Sequence, residues 1–489
     1  MFSAKFKLGQ IIDKEGTTCT EEQLLLEIHA RVDRLETLGI GPHDRVLICH
    51  GGTHEFFADL FAIWWVGACA VCINPKSSLY ELAGIAGVLS PKLVLIDKGR
   101  ELAALDVVGP MVSFVGIAAD SCSPTSRSPH PFIPENEALI LFTSGTTGDP
   151  KGVVHSYQSV SNRIATNRKY IGDKIFQRTL CLLPTHFGHG LIGNCLTPLF
   201  AGGDLFLRPL ASIDDFASIG QRIDRHQITF LSSVPSMWRV ILKVSKGPVA
   251  NTLRQVNIGS EQLSAQLWRE VMKWTGIENV ISVYGITETA NWIGGMSARE
   301  RSPEDGLVGR VWDGHAAVRS ESGAITTSGT GEILVKTPSL MRGYLNRPHD
   351  TSKVMVEGFF ATGDLGVVDA SGVIRITGRQ KLEINRGGIK VSPEEVEALI
   401  ESSDFIDEAC VFGIPHDISG ETVAAVLVLR DGLVGDGSSD AEKILRDLET
   451  YLRVRIAPEK IPEKWYIRDA IPKTERGKKD RAWVNSRCL

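Results

Sequence analysis

Apolar and polar positions change their spacing several times along the chain, and each change marks a new element. In residues 18–40, Leu24, Leu25, Ile28, Val32 and Leu35 recur at helical spacing and Gly39 ends the run, which predicts an amphipathic helix. Residues 45–49 form a short apolar strand. Residues 60–73 are apolar and uncharged, yet shorter than the ~20 residues a membrane span needs, so they predict a core helix leading into a strand. Helix-like and strand-like stretches then alternate as far as Ile96, the pattern of parallel α/β layering. Residues 121–134 are rich in Ser and Pro and read as a surface loop.

A strand running into a polar loop recurs further on. Residues 139–142 (Leu-Ile-Leu-Phe) read as a buried strand that empties into such a loop. Residues 228–231 predict another strand, after which Val234-Pro235 opens a helix with Pro at an early position. Residues 256–258 lead into Gly259-Ser260-Glu261-Gln262-Leu263, and residues 280–283 into Tyr284-Gly285-Ile286-Thr287-Glu288-Thr289. In open α/β sheets, ligands sit at the carboxyl ends of strands, so these loops point to one nucleotide site. From Gly331 the segments become shorter and β-like: 332–335, 358–368 and 373–377. After Gly378-Arg379 a small domain begins, with helices at 393–400 and 440–452, strands at 409–412 and 422–429, and a polar loop at 431–440. No internal repeat is evident.

Composition narrows the classes. A chain of 489 residues is long enough for about two to four domains. Its 43% hydrophobic and 23% charged content is that of a soluble globular protein. A net charge of −5 leaves no electrostatic footprint for nucleic acid. Residues 1–10 lack the apolar core of a secretory signal, and the nine cysteines, mostly within apolar stretches, suit reduced thiols. A cytoplasmic location is the expectation. Cys69 and Cys72 form a C-x-x-C inside a core-like run and read as packing rather than as a redox or zinc pair. His50 and His54 have the spacing of metal ligands on a helix, but Gly51 and Gly52 make that helix poor, so solvated or N-cap histidines are expected. Leu182 to Leu191 includes His186, Phe187 and His189 beside glycines, and this reads either as a pocket wall or as a packed turn.

Chemistry concentrates at Thr143-Ser144-Gly145-Thr146-Thr147-Gly148-Asp149-Pro150-Lys151-Gly152. Glycines let backbone N–H groups converge on one anion, hydroxyls add donors, and Lys151 adds a point charge that a polyphosphate can use. A phosphate cradle is the natural reading, with a solvated Ser/Gly turn as the bland one. It is not the common P-loop, because no Gly-Lys-Ser/Thr closes it after four intervening residues.

Five stretches together (143–152, 284–289, 358–366, 378–397 and 472–478) resemble the adenylate-forming superfamily of acyl- and aryl-CoA synthetases, stand-alone adenylation enzymes and luciferases. The resemblance implies an α/β fold: a large N-terminal domain, 1–380, of layered α/β subdomains plus a β-rich subdomain, and a small mobile α+β C-terminal domain, 381–489, hinged near Lys381. It implies attack of a carboxylate on the α-phosphate of ATP, then transfer of the acyl group to a thiol. By position, Thr143, Ser144, Gly145, Thr146, Thr147, Gly148 and Lys151 would hold the β/γ-phosphates. Tyr284 would lie against adenine, Thr287 would touch the α-phosphate, and Glu288 would help bind Mg²⁺. Asp364 would accept the ribose hydroxyls, Arg379 would contact ribose or phosphate, and Glu332 would be structural. Lys478 would reach the α-phosphate during adenylation, with the loop at Gly387-Gly388 presented afterwards. The resemblance also implies ATP and Mg²⁺, CoA as co-substrate, a small carboxylic acid, and an acyl carrier protein or amine as the alternative acceptor. His186, Phe187, Gly259, Ser260, Glu261 and Trp292 are the substrate-pocket candidates, and Trp292 has simple core packing as its other reading. Lys381-Leu382-Glu383 departs from the usual hinge by shifting the acid one place.

Overall fold

The computed structural model describes residues 8–96, 111–112, 129–143, 151–379, 383–430 and 438–472, together with 479, 481, 484 and 487. Two compact units emerge: Met1–Pro75 with Val88–Phe142 and Gly152–Gln380, and Lys76–Gly87 with Thr143–Lys151 and Lys381–Leu489.

In the first unit, helix Glu21–Thr37 falls inside the expected 18–40 span but starts only at Glu21, after the short strand Thr18–Cys19, because Thr20 and Gln23 close a capping box: Gln23 N–H donates to Thr20 Oγ1 and Thr20 N–H to Gln23 Oε1. Helix His54–Trp65 is apolar nearly all round, with Phe56, Phe57, Leu60, Phe61, Ile63 and Trp64 all buried. Such a helix is stable only inside a core, and here it feeds strand Cys69–Cys72, as the apolar run predicts. Strands Arg45–Cys49, Cys69–Cys72, Leu93–Ile96 and Glu137–Thr143 lie parallel. They belong to a sheet that also holds Met111–Val112, Lys151–Ser156 and Gly343–Tyr344.

A second sheet carries the other recurring loops. Strands Arg178–Cys181, Phe230–Ser233, Gln255–Ile258 and Val280–Ile286 pair in parallel. Beyond them the sheet turns antiparallel, through Asn291–Ser297, Leu307–Val311, Ile374–Arg379, Phe359–Val368, Gly329–Lys336 and His315–Arg319. The β-rich texture therefore begins near 291, not at Gly331. Strand Asn291–Ser297 escapes pattern reading because Gly294 and Gly295 depress its propensity. Those glycines permit close packing: a Cβ on Gly294 would stand 2.3 Å from Arg310 O.

In the second unit, strands Ile384–Arg386, Ile389–Val391, Ile406–His416 and Gly420–Leu429 form an antiparallel sheet, with Lys464–Ile467 added in parallel. Helices Pro393–Glu401 and Ser438–Arg453 belong to the same unit, and its core includes Val396, Ile400, Val411, Ala425, Leu448 and Leu452. The two central strands run longer than their apolar stretches because backbone pairing continues through the polar hairpin end, from Ile414↔Thr422 to His416↔Gly420.

The seven described cysteines are all buried, and burial pushes the thiols of Cys69 and Cys72 up, as packing residues require. The solvated reading of His50 fails. It is 2% exposed and bonded through Nε2 to Asp59 at 2.7 Å. His54 is not an N-cap either; Thr53 is, and His54 is the first helical residue. No helix among the described residues is long and apolar enough to cross a membrane.

Candidate active site

Strand Val280–Ile286 ends in the short 3₁₀ turn Thr287–Thr289 before the chain reverses into Asn291–Ser297. Ala290 and Asn291 turn with φ of 56° and 88°, left-handed values that non-glycine residues adopt at a cost of order 1–3 kcal/mol each. Side chains from distant segments hold the turn. His155 bonds through Nε2 to Thr287 O at 2.8 Å, and Ser339 Oγ donates to Thr289 O at 3.0 Å. Behind Ser339 lies fully buried Arg163, which donates to the hydroxyls of Thr337 and Ser339. Burial lowers the pKa of His155 to about 4, so near neutral pH Nε2 carries the proton it donates to Thr287 O.

Glu288 takes a hydrogen bond on Oε1 from Tyr344 Oη at 2.7 Å, an arrangement that aims the carboxylate. Among the described residues it belongs to no cluster of three or more metal-ligating side chains. A cation bound by its second oxygen would draw its remaining ligands from phosphate and water, which suits Mg²⁺.

Four residues before Glu288, Tyr284 Oη donates to Asp364 Oδ2 at 2.5 Å. Asp364 and Arg379 are cross-strand partners, and Arg379 Nε donates to Asp364 Oδ1 at 2.5 Å. Asp364 is 3% exposed, so its charge is held by these two donors. Each carboxylate oxygen keeps a further acceptor site, enough for a vicinal diol. Glu332 is buried and accepts from Arg319 and from Gly363 N–H, a structural brace for the turn that presents Asp364.

Of the pocket candidates, Ser260 and Trp292 come together around His189, which the sequence places in the 182–191 wall or turn but not among the pocket candidates. His189 is bonded through Nδ1 to Ser260 Oγ at 2.8 Å and through Nε2 to Ser232 Oγ at 2.7 Å. Its ring stands edge-on to Trp292, centroids 5.3 Å apart. Burial lowers the His189 pKa to about 3, so this histidine is neutral. Trp292 is 2% exposed and packs with Phe176 and Phe230, and a Cβ on Gly193 would stand 2.8 Å from its ring. Core packing is thus part of its role. Gly259 permits a close strand approach, since a Cβ there would stand 2.8 Å from Val283 O. Glu261 turns elsewhere: Ser236 Oγ donates to it at 2.7 Å and Arg239 lies 3.7 Å away. Burial raises its pKa to about 7. His186 and Phe187 form a tilted ring pair with centroids 4.2 Å apart.

In the second unit, Thr143 and Lys151 end and open consecutive strands, and Thr143 Oγ1 donates to Lys151 O at 3.5 Å. Ser144, Gly145, Thr146, Thr147 and Gly148 lie outside the described residues, as do Lys381 and Lys478. Gly387 and Gly388 have φ of 62° and 87° in the turn between Ile384–Arg386 and Ile389–Val391, and this conformation explains the glycine pair.

Signals for the missed residues were faint. His155 and Tyr344 sit in stretches whose partners lie 132 and 56 residues away, and His189 stood among several candidate polar residues.

Comparison with known proteins places these features in one family. The profile described as "AMP-binding enzyme" matches residues 7–345, and that described as "AMP-binding enzyme C-terminal domain" matches residues 395–478. The chain is 32% identical over 369 residues to the probable CoA ligase CCL8 of Humulus lupulus, covering 70% of this chain and 60% of that one. It is 28% identical over 475 residues to the probable CoA ligase CCL9 of the same plant, covering 92% and 88%. A malonyl-CoA ligase solved as a ternary product complex with methylmalonyl-CoA and AMP superposes with a TM-score of 0.78 at 27% identity, covering 97% of this chain and 98% of that one. With the family's profile matched over most of its length and the mixed α/β fold shared, the chain belongs to the AMP-binding enzymes, the adenylate-forming superfamily.

Proposed function

We propose that the protein is an AMP-forming acid–CoA ligase acting on an aryl or modest acyl acid. The carrying observation is the Tyr284–Asp364–Arg379 arrangement: a buried carboxylate held by two donors, one of which, Tyr284, lies on the strand that leads into Thr287–Glu288. The matched relatives' names as CoA ligases support the choice of thiol.

In the first half-reaction a carboxylate oxygen attacks the α-phosphorus, the bond to the β-phosphate breaks, and pyrophosphate leaves. Two anions must meet, so the site works by charge neutralisation and positioning rather than by a strong base. Thr143 to Lys151 embrace the β/γ-phosphates, Tyr284 borders adenine, and Asp364 with Arg379 fixes the ribose. Thr287, braced by His155, donates toward the α-phosphate. Glu288, oriented by Tyr344, would hold Mg²⁺, which when bound offsets phosphate charge. Lys478 neutralises the charge where carboxylate meets phosphate. In the second half-reaction the CoA thiolate attacks the acyl carbonyl and AMP departs. The domain beginning at residue 381 turns about Lys381 between the two, exchanging Lys478 for the Gly387-Gly388 loop. His189, neutral between Ser232 and Ser260, suits an acid whose body is uncharged.

A panel of acids assayed for pyrophosphate release, with and without CoA, tests this reading. Acid-dependent release with a CoA ester as product supports it. Transfer to a carrier-protein thiol or an amine instead would replace the acceptor, and absence of both nucleotide binding and turnover would overturn the whole.

A further inference from the structure

A second constellation of reactive side chains lies among the N-terminal elements, on residues to which the adenylation chemistry gives no task. Cys19 ends the two-residue strand Thr18–Cys19, Glu27 sits within helix Glu21–Thr37, and His54 opens helix His54–Trp65. One ligating atom from each of the three lies within 4.8 Å of the others. The Cys19 side chain is buried, and those of Glu27 and His54 are mostly so.

The finer geometry points the same way. His54 Nε2 stands 3.3 Å from Glu27 Oε1. That is the edge of a tetrahedron whose arms are the ~2.0–2.1 Å of zinc–nitrogen and zinc–oxygen bonds. His54 Nδ1 is buried without a hydrogen-bond partner and faces Glu55 Oε2 at 3.5 Å and Asp13 Oδ2 at 3.9 Å. Glu27 Oε2 also lacks a hydrogen bond, although Arg31 Nη1 lies 3.1 Å away. Charge is unbalanced here. Asp13, Glu27, Glu55 and Asp59 bring four carboxylates, while Arg31 is shared between Glu27 and Asp59, the latter at 2.7 Å. His54 itself, which Glu27 holds toward its protonated form, offsets part of that charge, and His50 is engaged by Asp59.

We propose that Cys19, Glu27 and His54, with a water completing the tetrahedron, form a zinc site that staples the N-terminal strand to the first two helices. A thiolate, an imidazole and a carboxylate form a donor set of borderline softness, which selects zinc over magnesium or calcium. On ligation the Cys19 thiol gives its proton to solvent and zinc–sulfur bonding takes its place. Glu27 ligates through Oε1 while Arg31 holds Oε2, an outer contact of the kind that orients metal ligands.

The test uses the full-length protein purified without chelator. Elemental analysis is expected to find one zinc per chain. After chelator treatment, titration with Co²⁺ is expected to give a thiolate-to-cobalt band in the near ultraviolet, saturating at one equivalent. Cys19→Ser removes the band. His54→Gln weakens Co²⁺ binding by more than the roughly 10–100-fold that loss of an outer-shell partner costs. ATP binding, measured in parallel, stays unchanged in both variants and reports that they are folded. No stoichiometric zinc together with no thiolate band in folded wild-type protein would overturn the proposal, as would a band that survives in Cys19→Ser. Should Cys19→Ser fail to fold, the wild-type titration and His54→Gln decide alone.

Discussion

Replacing Asp364 by Asn removes a charge while keeping the shape of the side chain. In the structure each carboxylate oxygen already accepts one short hydrogen bond, from Tyr284 Oη and Arg379 Nε, both at 2.5 Å. The two acceptor sites left over would meet the ribose hydroxyls. An amide keeps one oxygen and turns the other position into a donor, so at least one hydroxyl loses its acceptor. A hydrogen bond to a charged group is worth about 1.5–3 kcal/mol, or roughly 10- to 150-fold in affinity. Removing the negative charge also eases repulsion with the triphosphate, so discrimination between nucleotides is a better readout than affinity itself. Calorimetric titration of wild type with ATP, 2′-deoxyATP and 3′-deoxyATP is expected to show each missing hydroxyl costing a factor in this range. In Asp364→Asn, at least one of the two penalties should vanish. A folded Asp364→Asn protein that still discriminates against both deoxynucleotides as wild type does would refute the assignment of Asp364 to the ribose.

Other expectations follow from neighbouring groups. His155→Ala should slow acid-dependent pyrophosphate exchange, because it leaves Thr287 O without its donor at a cost of about 1–3 kcal/mol, and His155→Gln should restore part of the rate. The native His155 pKa of about 4 lies below the ordinary 6.5, so the unfolded chain takes up the proton first. The associated stability is full above about pH 6.5 and is lost as pH falls toward 4; melting curves should show His155→Gln flattening that acid limb. Glu261 has the opposite sign. Its pKa of about 7 exceeds the ordinary 4.5, so its contribution is full below pH 4.5 and is lost as pH rises through 7. Glu261→Gln should therefore raise the melting temperature more at pH 8 than at pH 5. Lys478→Ala is expected to abolish acid-dependent pyrophosphate exchange yet spare thiolation of a supplied acyl-adenylate, and equal loss of both half-reactions would contradict two alternating poses.

What the sequence makes legible depends on whether the physics is local. The capped helix Glu21–Thr37, the apolar helix His54–Trp65 and strand Arg45–Cys49 follow from spacing and caps, which act over a few residues. Asp364 and Arg379 are legible through their motifs, but their pairing is a matter of cross-strand register, which no periodicity encodes. His155, Tyr344 and the partners of His189 escape for the same reason: each contact joins segments far apart along the chain, and only the sheets bring them together. His50 misleads because a histidine beside two glycines looks like a loop residue, whereas Asp59, one helix later, provides the partner that lets it be buried.

The central claim is that an organic acid becomes joined to AMP, and isotope transfer tests it most directly. The enzyme is incubated with ATP, CoA and an accepted acid labelled with ¹⁸O in its carboxylate, and the nucleotide products are weighed by mass spectrometry. One labelled oxygen in AMP, with pyrophosphate as the other product, is the expected result. Unlabelled AMP, or ADP with labelled phosphate, would contradict the account.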